Sequence, residues 1–326
     1  MILVTGGAGF IGSNIVAALC ERGEDVVVCD RLESGDKWRN IARHALFDIV
    51  LPERVFDWLA TAPQLDAVIH MGAISATTVT DGDLVFDVNV NFSTTLWDWC
   101  VSHSTPLVYA SSGATYGDGS QGFDDDGSLE GLARLRPLNA YGWSKHFFDR
   151  RVARRVAAGQ PAPPQWVGLK FFNVYGPNEY HKGSMQSVVA QKYPLVANGQ
   201  PVTLFQSHHP DYPDGGQLRD FVFVDDCVDV MLWLLEHPEV NGLFNLGSGK
   251  ARSFADLAKA IAAALDKPSQ IEFFPTPEAI RPNYQYFTEA RMDKLRAAGY
   301  TKPFTELEDG VRRYVQGYLA RPDRYR

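Results

Sequence analysis

The chain has 326 residues, 45% of them hydrophobic and 21% charged, with a formal net charge of −8. That length builds one large or two intimately joined domains around a substantial core, with the composition of an ordinary globular protein. The acidic balance, without a basic run or an aromatic-interleaved basic stripe, argues against nucleic acid as a partner, and no apolar run approaches membrane-spanning length.

The first thirty residues read as strand, phosphate-binding turn, helix and second strand. Residues 2–4 form a short apolar run, Gly6, Gly9 and Gly12 follow at three-residue spacing, and Phe10, Ile11, Ile15, Val16 and Leu19 recur at helical period. The first glycine allows a tight turn, the second lets backbone approach a pyrophosphate, and the third lets helix and strand pack closely. The helix N-terminus offers free N–H groups to the phosphates. Residues 24–29 form the second strand and end at Asp30, the acid a ribose hydroxyl requires about 20 residues past such a turn. A bound dinucleotide is the expectation. Asp30 favours a free 2′-OH, whereas neighbouring Arg31 and Lys37 suit the 2′-phosphate of NADP.

A third strand is expected over 45–49, its Asp48 and Ile49 beside an adenine ring, then a helix over 52–59 and a fourth strand over 65–70. The small residues after it, with Met71, Gly72, Ala73 and Ser75, let a cofactor pass close to backbone. A long helix over about 84–102 carries Asn89 and Asn91, either bracing loops from its buried side or facing solvent. Residues 106–110 make a fifth strand. Strands alternating with helices predict an α/β fold, a Rossmann-type doubly wound parallel sheet.

At the end of the fifth strand stand Ser111 and Ser112, where an open α/β sheet binds its ligands. A helix starting near Asn139 then carries Tyr141 and Lys145, four apart on one face. An ammonium beside a phenol favours the phenolate, which makes the pair an acid/base. Further on come a strand over 165–172, a helix over 184–196, a strand over 202–205 and a polar loop over 206–217. His208, His209, Asp211 and Asp214 in that loop lack a rigid frame, so no metal site is expected. A strand starts at Arg219, and a helix over 224–236 has Asp225 as its expected cap. Strands over 243–246 and 271–274 and helices over 254–265, 288–298 and 307–319 complete the chain. The expected division is a dinucleotide-binding domain over 1–173 and 219–250, and a smaller interleaved α/β substrate domain over 174–218 and 251–326. Cys20, Cys29, Cys100 and Cys227 lie within these elements without metal-ligand spacing, as in a reducing compartment. Met1 leads straight into the first strand without a signal peptide, so a cytoplasmic location is expected.

The glycine turn, the strand-end serines and Tyr141-x-x-x-Lys145 together resemble the extended short-chain dehydrogenase/reductase superfamily over essentially the whole chain. Within it, FNVYGPNEYHKGSM and YQYFTEARMDKLRAAGYTKPF are similar to the ADP-L-glycero-D-manno-heptose 6-epimerases. The resemblance implies an enzyme for lipopolysaccharide core heptose that oxidises the C6 hydroxyl with tightly held NADP, NAD being the other option, and returns hydride to the opposite face. It implies Tyr141 as the acid/base for one orientation of the ketone and Lys182 for the other, with Lys145 on the nicotinamide ribose and Ser112 on the reacting oxygen. Phe10, Ile11, Asn89, Val174 and Lys182 are implied cofactor contacts. Asn173, Ser184, Phe205, Gln206, Ser207 and His208 are implied to line the sugar-nucleotide pocket with Tyr284, while Arg219 faces the diphosphate. Gln191 stands where the family pattern has a histidine, and the 206–217 loop looks longer than in compact members. Both departures bear on the sugar. A homo-oligomer, pentamer or dimer, is implied by resemblance alone. A 4,6-dehydratase would carry an acidic pair where Gly113 and Ala114 stand. A UDP-hexose C4 epimerase keeps the serine, tyrosine and lysine without a second base. A net dehydrogenase and a silent nucleotide-sensing scaffold are the remaining alternatives, the latter typically losing the tyrosine or the lysine.

Overall fold

Short runs of fully buried Val, Leu and Ile dictate the centre of the molecule, because a strand covered by helices on both faces must be apolar throughout. The computed structural model describes residues 1–278, 281 and 284–326. Its first half alternates β1 (Ile2–Thr5), α1 (Phe10–Glu21), β2 (Val26–Cys29), β3 (Asp48–Val50), α2 (Val55–Leu59), β4 (Ala67–His70), α3 (Gly82–Phe86), α4 (Phe92–Ser102) and β5 (Leu107–Ser112). Next come α5 (Leu129–Arg134), α6 (Ala140–Ala157), β6 (Trp166–Phe171), β7 (Asn173–Tyr175), α7 (Val188–Ala197), β8 (Val202–Phe205), β9 (Leu218–Phe223) and α8 (Val224–Glu236). The chain closes with β10 (Gly242–Leu246), β11 (Ala251–Ser253), α9 (Phe254–Ala264), β12 (Ile271–Phe274), α10 (Asp293–Ala297) and α11 (Leu307–Tyr314).

Seven strands form one parallel sheet in the order β10-β6-β5-β4-β1-β2-β3. The chain reverses direction across the sheet between β1 and β4, and such a switch point opens a crevice at the carboxyl ends of the strands. There the glycine turn after β1, residues 71–75 after β4 and the serines ending β5 come together. β7 and β9 pair parallel, β11 joins β9 antiparallel, and β8 pairs with β12. These short strands share an apolar cluster with α7, α9 and α11, through Val189, Leu204, Phe221, Ile261 and Val311. The boundary expected at 219 therefore falls inside β9, which belongs to the three-stranded sheet, while α8 and β10 return to the large one. Among the described residues no helix is long and apolar enough to cross a membrane.

Several element boundaries differ from expectation for local reasons. Strand β3 begins only at Asp48, where the ladder to Val27 starts; 45–47 precede it, with Phe47 N–H bonded to the Val26 carbonyl. The expected 84–102 helix starts at Gly82, capped by Asp81, and is interrupted by a π-helical turn at Asp87–Asn91. Asp225 does not cap α8. Phe223 occupies that position without a side-chain bond, and Asp225 in the first turn pairs with Arg313 and Arg326. Helix α7 starts at Val188 behind its Ser187 cap, because Ser184 lies in a 3₁₀ segment, Tyr180–Met185, that turns at Gly183 with φ +53°. Only Asp293–Ala297 of the expected 288–298 helix forms. Thr288 and Ala290 give their N–H groups to Leu218 and Asp220 instead, so β9 claims that backbone. Helix α11 ends at Tyr314 and continues as a π turn, Val315–Leu319.

Candidate active site

The glycine turn is built so tightly that side chains cannot enter it. Gly6 has φ +64°, and a Cβ there would meet the Gly72 nitrogen at 2.6 Å; a Cβ on Gly12 would overlap the Gly6 carbonyl oxygen. Helix α1 begins at Phe10 with no side-chain cap and no acid in its first turn, which leaves its N–H groups for an anion. At the end of β2, Asp30 is 8% exposed. Its carboxylate accepts from Ala8 N at 2.9 Å, Arg31 N at 2.8 Å and Lys37 Nζ at 2.9 Å. Arg31 is half exposed and paired with Glu53. Asp48 and Ile49 line a hollow of about 430 Å³ with Leu32 and Trp38. A turn without room for side chains, free N–H groups and an acid at the second strand's end fit a dinucleotide.

Residues 71–75 close the turn from the β4 side. Gly72 N–H donates to Thr5 Oγ1 at 3.1 Å, while Met71 is partly buried and Ser75 exposed. Asn89 is 1% exposed. It exchanges hydrogen bonds with both backbone groups of Ile74 and donates to Ser144 Oγ at 3.0 Å. The π turn aims it inward as a brace between that loop and α6.

Ser112 and Tyr141 meet in a cleft of about 550 Å³, with Asn173, Arg219 and Tyr284 among its other walls. Burial pushes the Tyr141 phenol up and the Ser112 side chain acts in the opposite direction; the net direction is up. Burial is the largest influence on Tyr141. Burial also brings Lys145 down to about 8, against the pull of Asp149. Lys182 is not a wall of this cleft. Its Nζ sits 5.1 Å from the centre of the Phe10 ring, at the glycine turn, with its pKa lowered by burial and Glu179 opposing.

Arg219 is held in place by donating to the Leu218 and Gln285 carbonyls and lies 5.6 Å from the centre of the Tyr284 ring. Phe205 packs on Phe274 and Tyr284. The 206–217 loop folds back on itself: Ser207 N–H donates to Asp214 at 2.7 Å, Gln206 accepts from Thr276 at 2.7 Å, and His208 N–H donates to the Tyr286 hydroxyl at 2.8 Å. His208, His209, Tyr212 and Tyr286 thereby form an aromatic group beside Tyr284. Ser184 is exposed, and Gln191 donates to the Ser184 and Gln186 carbonyls at 3.0 and 2.7 Å. Gln191 thus braces the Lys182 segment from α7.

Sequence reasoning missed Thr77, which lies outside its motifs, and gave no role to Phe172, Gln285 and Thr288, which lie inside them. It also missed Tyr286, whose hydroxyl organises the loop. A larger hollow of about 680 Å³ on the outer side of α6 is lined by Trp143, Phe147 and several arginines. It contains neither Tyr141 nor Ser112, which both line the smaller cleft.

Residues 2–247 match the profile of the NAD dependent epimerase/dehydratase family. The chain is 49% identical to the ADP-L-glycero-D-manno-heptose-6-epimerase of Nitratidesulfovibrio vulgaris, covering 99% of each chain. Its structure resembles that of Helicobacter pylori ADP-L-glycero-D-manno-heptose-6-epimerase with a TM-score of 0.80 at 26% identity, covering 97% of this chain and 95% of the other. A Thermus thermophilus UDP-glucose 4-epimerase in complex with NAD matches with a TM-score of 0.72 at 29% identity, covering 97% of each.

Proposed function

The chain belongs to the NAD dependent epimerase/dehydratase family, and from that premise we propose that it inverts C6 of ADP-D-glycero-D-manno-heptose, supplying L-glycero heptose for the lipopolysaccharide core. The observation that carries the chemistry is that Ser112 and Tyr141 line one cleft whose wall also offers Arg219. A bound nicotinamide dinucleotide supplies the hydride acceptor and donor for such an inversion. Tyr141 Oη takes or returns the proton of the C6 oxygen, and Ser112 Oγ orients that oxygen. Lys145 keeps a cation beside both. Inversion presents C6 by opposite faces in turn, so its oxygen meets a different proton carrier each time. Lys182 Nζ serves the second orientation from the Phe10 side. Arg219 holds the diphosphate, its side chain already fixed by two carbonyls, so little rotamer freedom is lost on binding. The test is an NMR time course of the purified protein with this heptose and no added cofactor. Inversion at C6 is expected. No inversion even after adding NADP or NAD sinks the assignment, and UDP-hexoses then become the substrates to try.

We infer NADP in preference to NAD. Lys37 already neutralises Asp30, which removes the repulsion a 2′-phosphate would meet, and Arg31 lies next to it with only an exposed partner in Glu53. Exposed pairs contribute little, so Arg31 exchanges Glu53 for a phosphate at small cost. Arg31→Ala is expected to weaken NADP binding roughly tenfold and NAD binding less than about threefold, read by fluorescence titration of the cofactor-stripped protein. Equal losses for the two cofactors overturn the inference.

A further inference from the structure

Behind Tyr141 and Lys145, on the same face of α6, lies Asp149, which no solvent reaches. Positions 141, 145 and 149 are one helical turn apart each, so whatever holds Asp149 holds the face that carries the acid/base pair. Asp149 accepts from Ser111 Oγ at 2.6 Å and from Tyr109 Oη at 3.3 Å, both on β5, and lies 3.4 Å from Lys170 Nζ on β6. Lys170 is equally buried. It donates to Thr115 Oγ1 at 2.7 Å, and Thr115 donates onward to the Ser112 carbonyl at 2.8 Å. One member of the pair therefore grips Ser111 and the other, through Thr115, grips Ser112.

Two opposite charges out of water are costly, and a structural core would be served as well by apolar residues of the same size. Their placement is what such a cost would maintain. We propose that Asp149 and Lys170 are positioning residues: a buried ion pair that registers the Ser112 turn against the Tyr141–Lys145 face of α6 and biases both side chains electrostatically. The proposal rests on the epimerase reading for its chemistry, though not for its geometry. Burial pushes the Asp149 pKa up on balance, and Lys170, Ser111 and Tyr109 oppose that rise by favouring the carboxylate. The carboxylate in turn supports the Lys145 ammonium against burial. Other titratable groups face this assembly. Tyr109 and Tyr116 are pushed far up by burial and stay neutral, and His146 on α6 falls to about 4. His70 on β4, bonded to Thr5 and Ser93, falls to about 3, and Asp125 and Lys294 act on Lys170 from beyond it.

The experiment is Asp149→Asn followed by [13Cε]lysine NMR, with the Lys145 signal assigned by its loss in Lys145→Arg. In the parent, Lys145 is expected to titrate near 8, apart from surface lysines. Removing the carboxylate withdraws the influence that raises Lys145, so its midpoint is expected to fall by roughly 0.5 to 1 pH unit. Turnover of the heptose at the pH optimum is expected to fall roughly 10- to 100-fold at near-constant KM, as for misplacement of a reacting group. If Asp149→Asn does not fold, Asp149→Asn/Lys170→Met leaves no lone buried charge and carries the same readouts. An unmoved Lys145 midpoint, or unchanged turnover in a folded variant, overturns the proposal. The titration needs no substrate, so failure of the heptose assignment leaves it intact.

Discussion

Replacing Tyr141 with Phe is expected to lower kcat for C6 inversion roughly 10³-fold, within the usual range for a general acid/base group, with cofactor content and melting temperature nearly unchanged. The ring stays, so cleft packing is kept. Only the hydroxyl is lost, and Ser112 Oγ still accepts from Ala114 N at 3.1 Å. The stability cost is on the order of 1 kcal/mol. The effect on kcat is large because Tyr141 brings a titratable hydroxyl to the cleft that Ser112 also lines. Steady-state assay by NMR, with absorbance for bound nicotinamide, separates the two quantities. A variant that keeps its cofactor yet retains activity within tenfold of the parent sinks the assignment of Tyr141. A nucleotide-sensing scaffold predicts just that indifference.

The parallel sheet and its crevice were legible in the sequence because each carries a local signature: a glycine at each forced close approach, fully apolar short strands, and Tyr and Lys on one helical face. The small sheets were less legible. β7, β9 and β11 are three to six residues long and pair with partners far along the chain, so their existence depends on contacts that periodicity does not record. The same limit hid the fate of 288–298, whose helical pattern lost to β9 and to the Asp220 carboxylate. Within the site, the motifs contained Gln285 and Tyr286 but did not reveal that they hold Arg219 and the 206–217 loop. Asp149 was visible in principle as an acid eight positions past Tyr141, but nothing in the sequence says that Lys170 waits opposite. Spacing puts Lys145 near Tyr141 but does not show how far burial shifts each, Tyr141 up and Lys145 down.

Lys182→Met is expected to cost roughly 10²- to 10³-fold in kcat if the second orientation of C6 depends on this amine. The position is informative because Lys182 stands over Phe10 rather than in the wall shared by Tyr141 and Ser112, as a group serving the opposite presentation should. Burial lowers its pKa, which enlarges the neutral fraction able to accept a proton near neutrality, while Glu179 opposes that shift. Glu179 is not stranded by the substitution, because Ser187 donates to it through both its backbone and its hydroxyl. Methionine preserves the packing of the stem on Phe10, so lost activity is lost chemistry. Lys182→Arg sharpens the reading, since arginine keeps the charge but does not deprotonate. If both variants fail alike, proton transfer is the role; if arginine restores most of the rate, the charge alone matters. Activity of Lys182→Met within about threefold of the parent would remove the second carrier altogether. A single tyrosine would then have to serve both faces, which is the economy of a C4 epimerase, and the heptose reading would lose its mechanistic support even with C6 inversion observed.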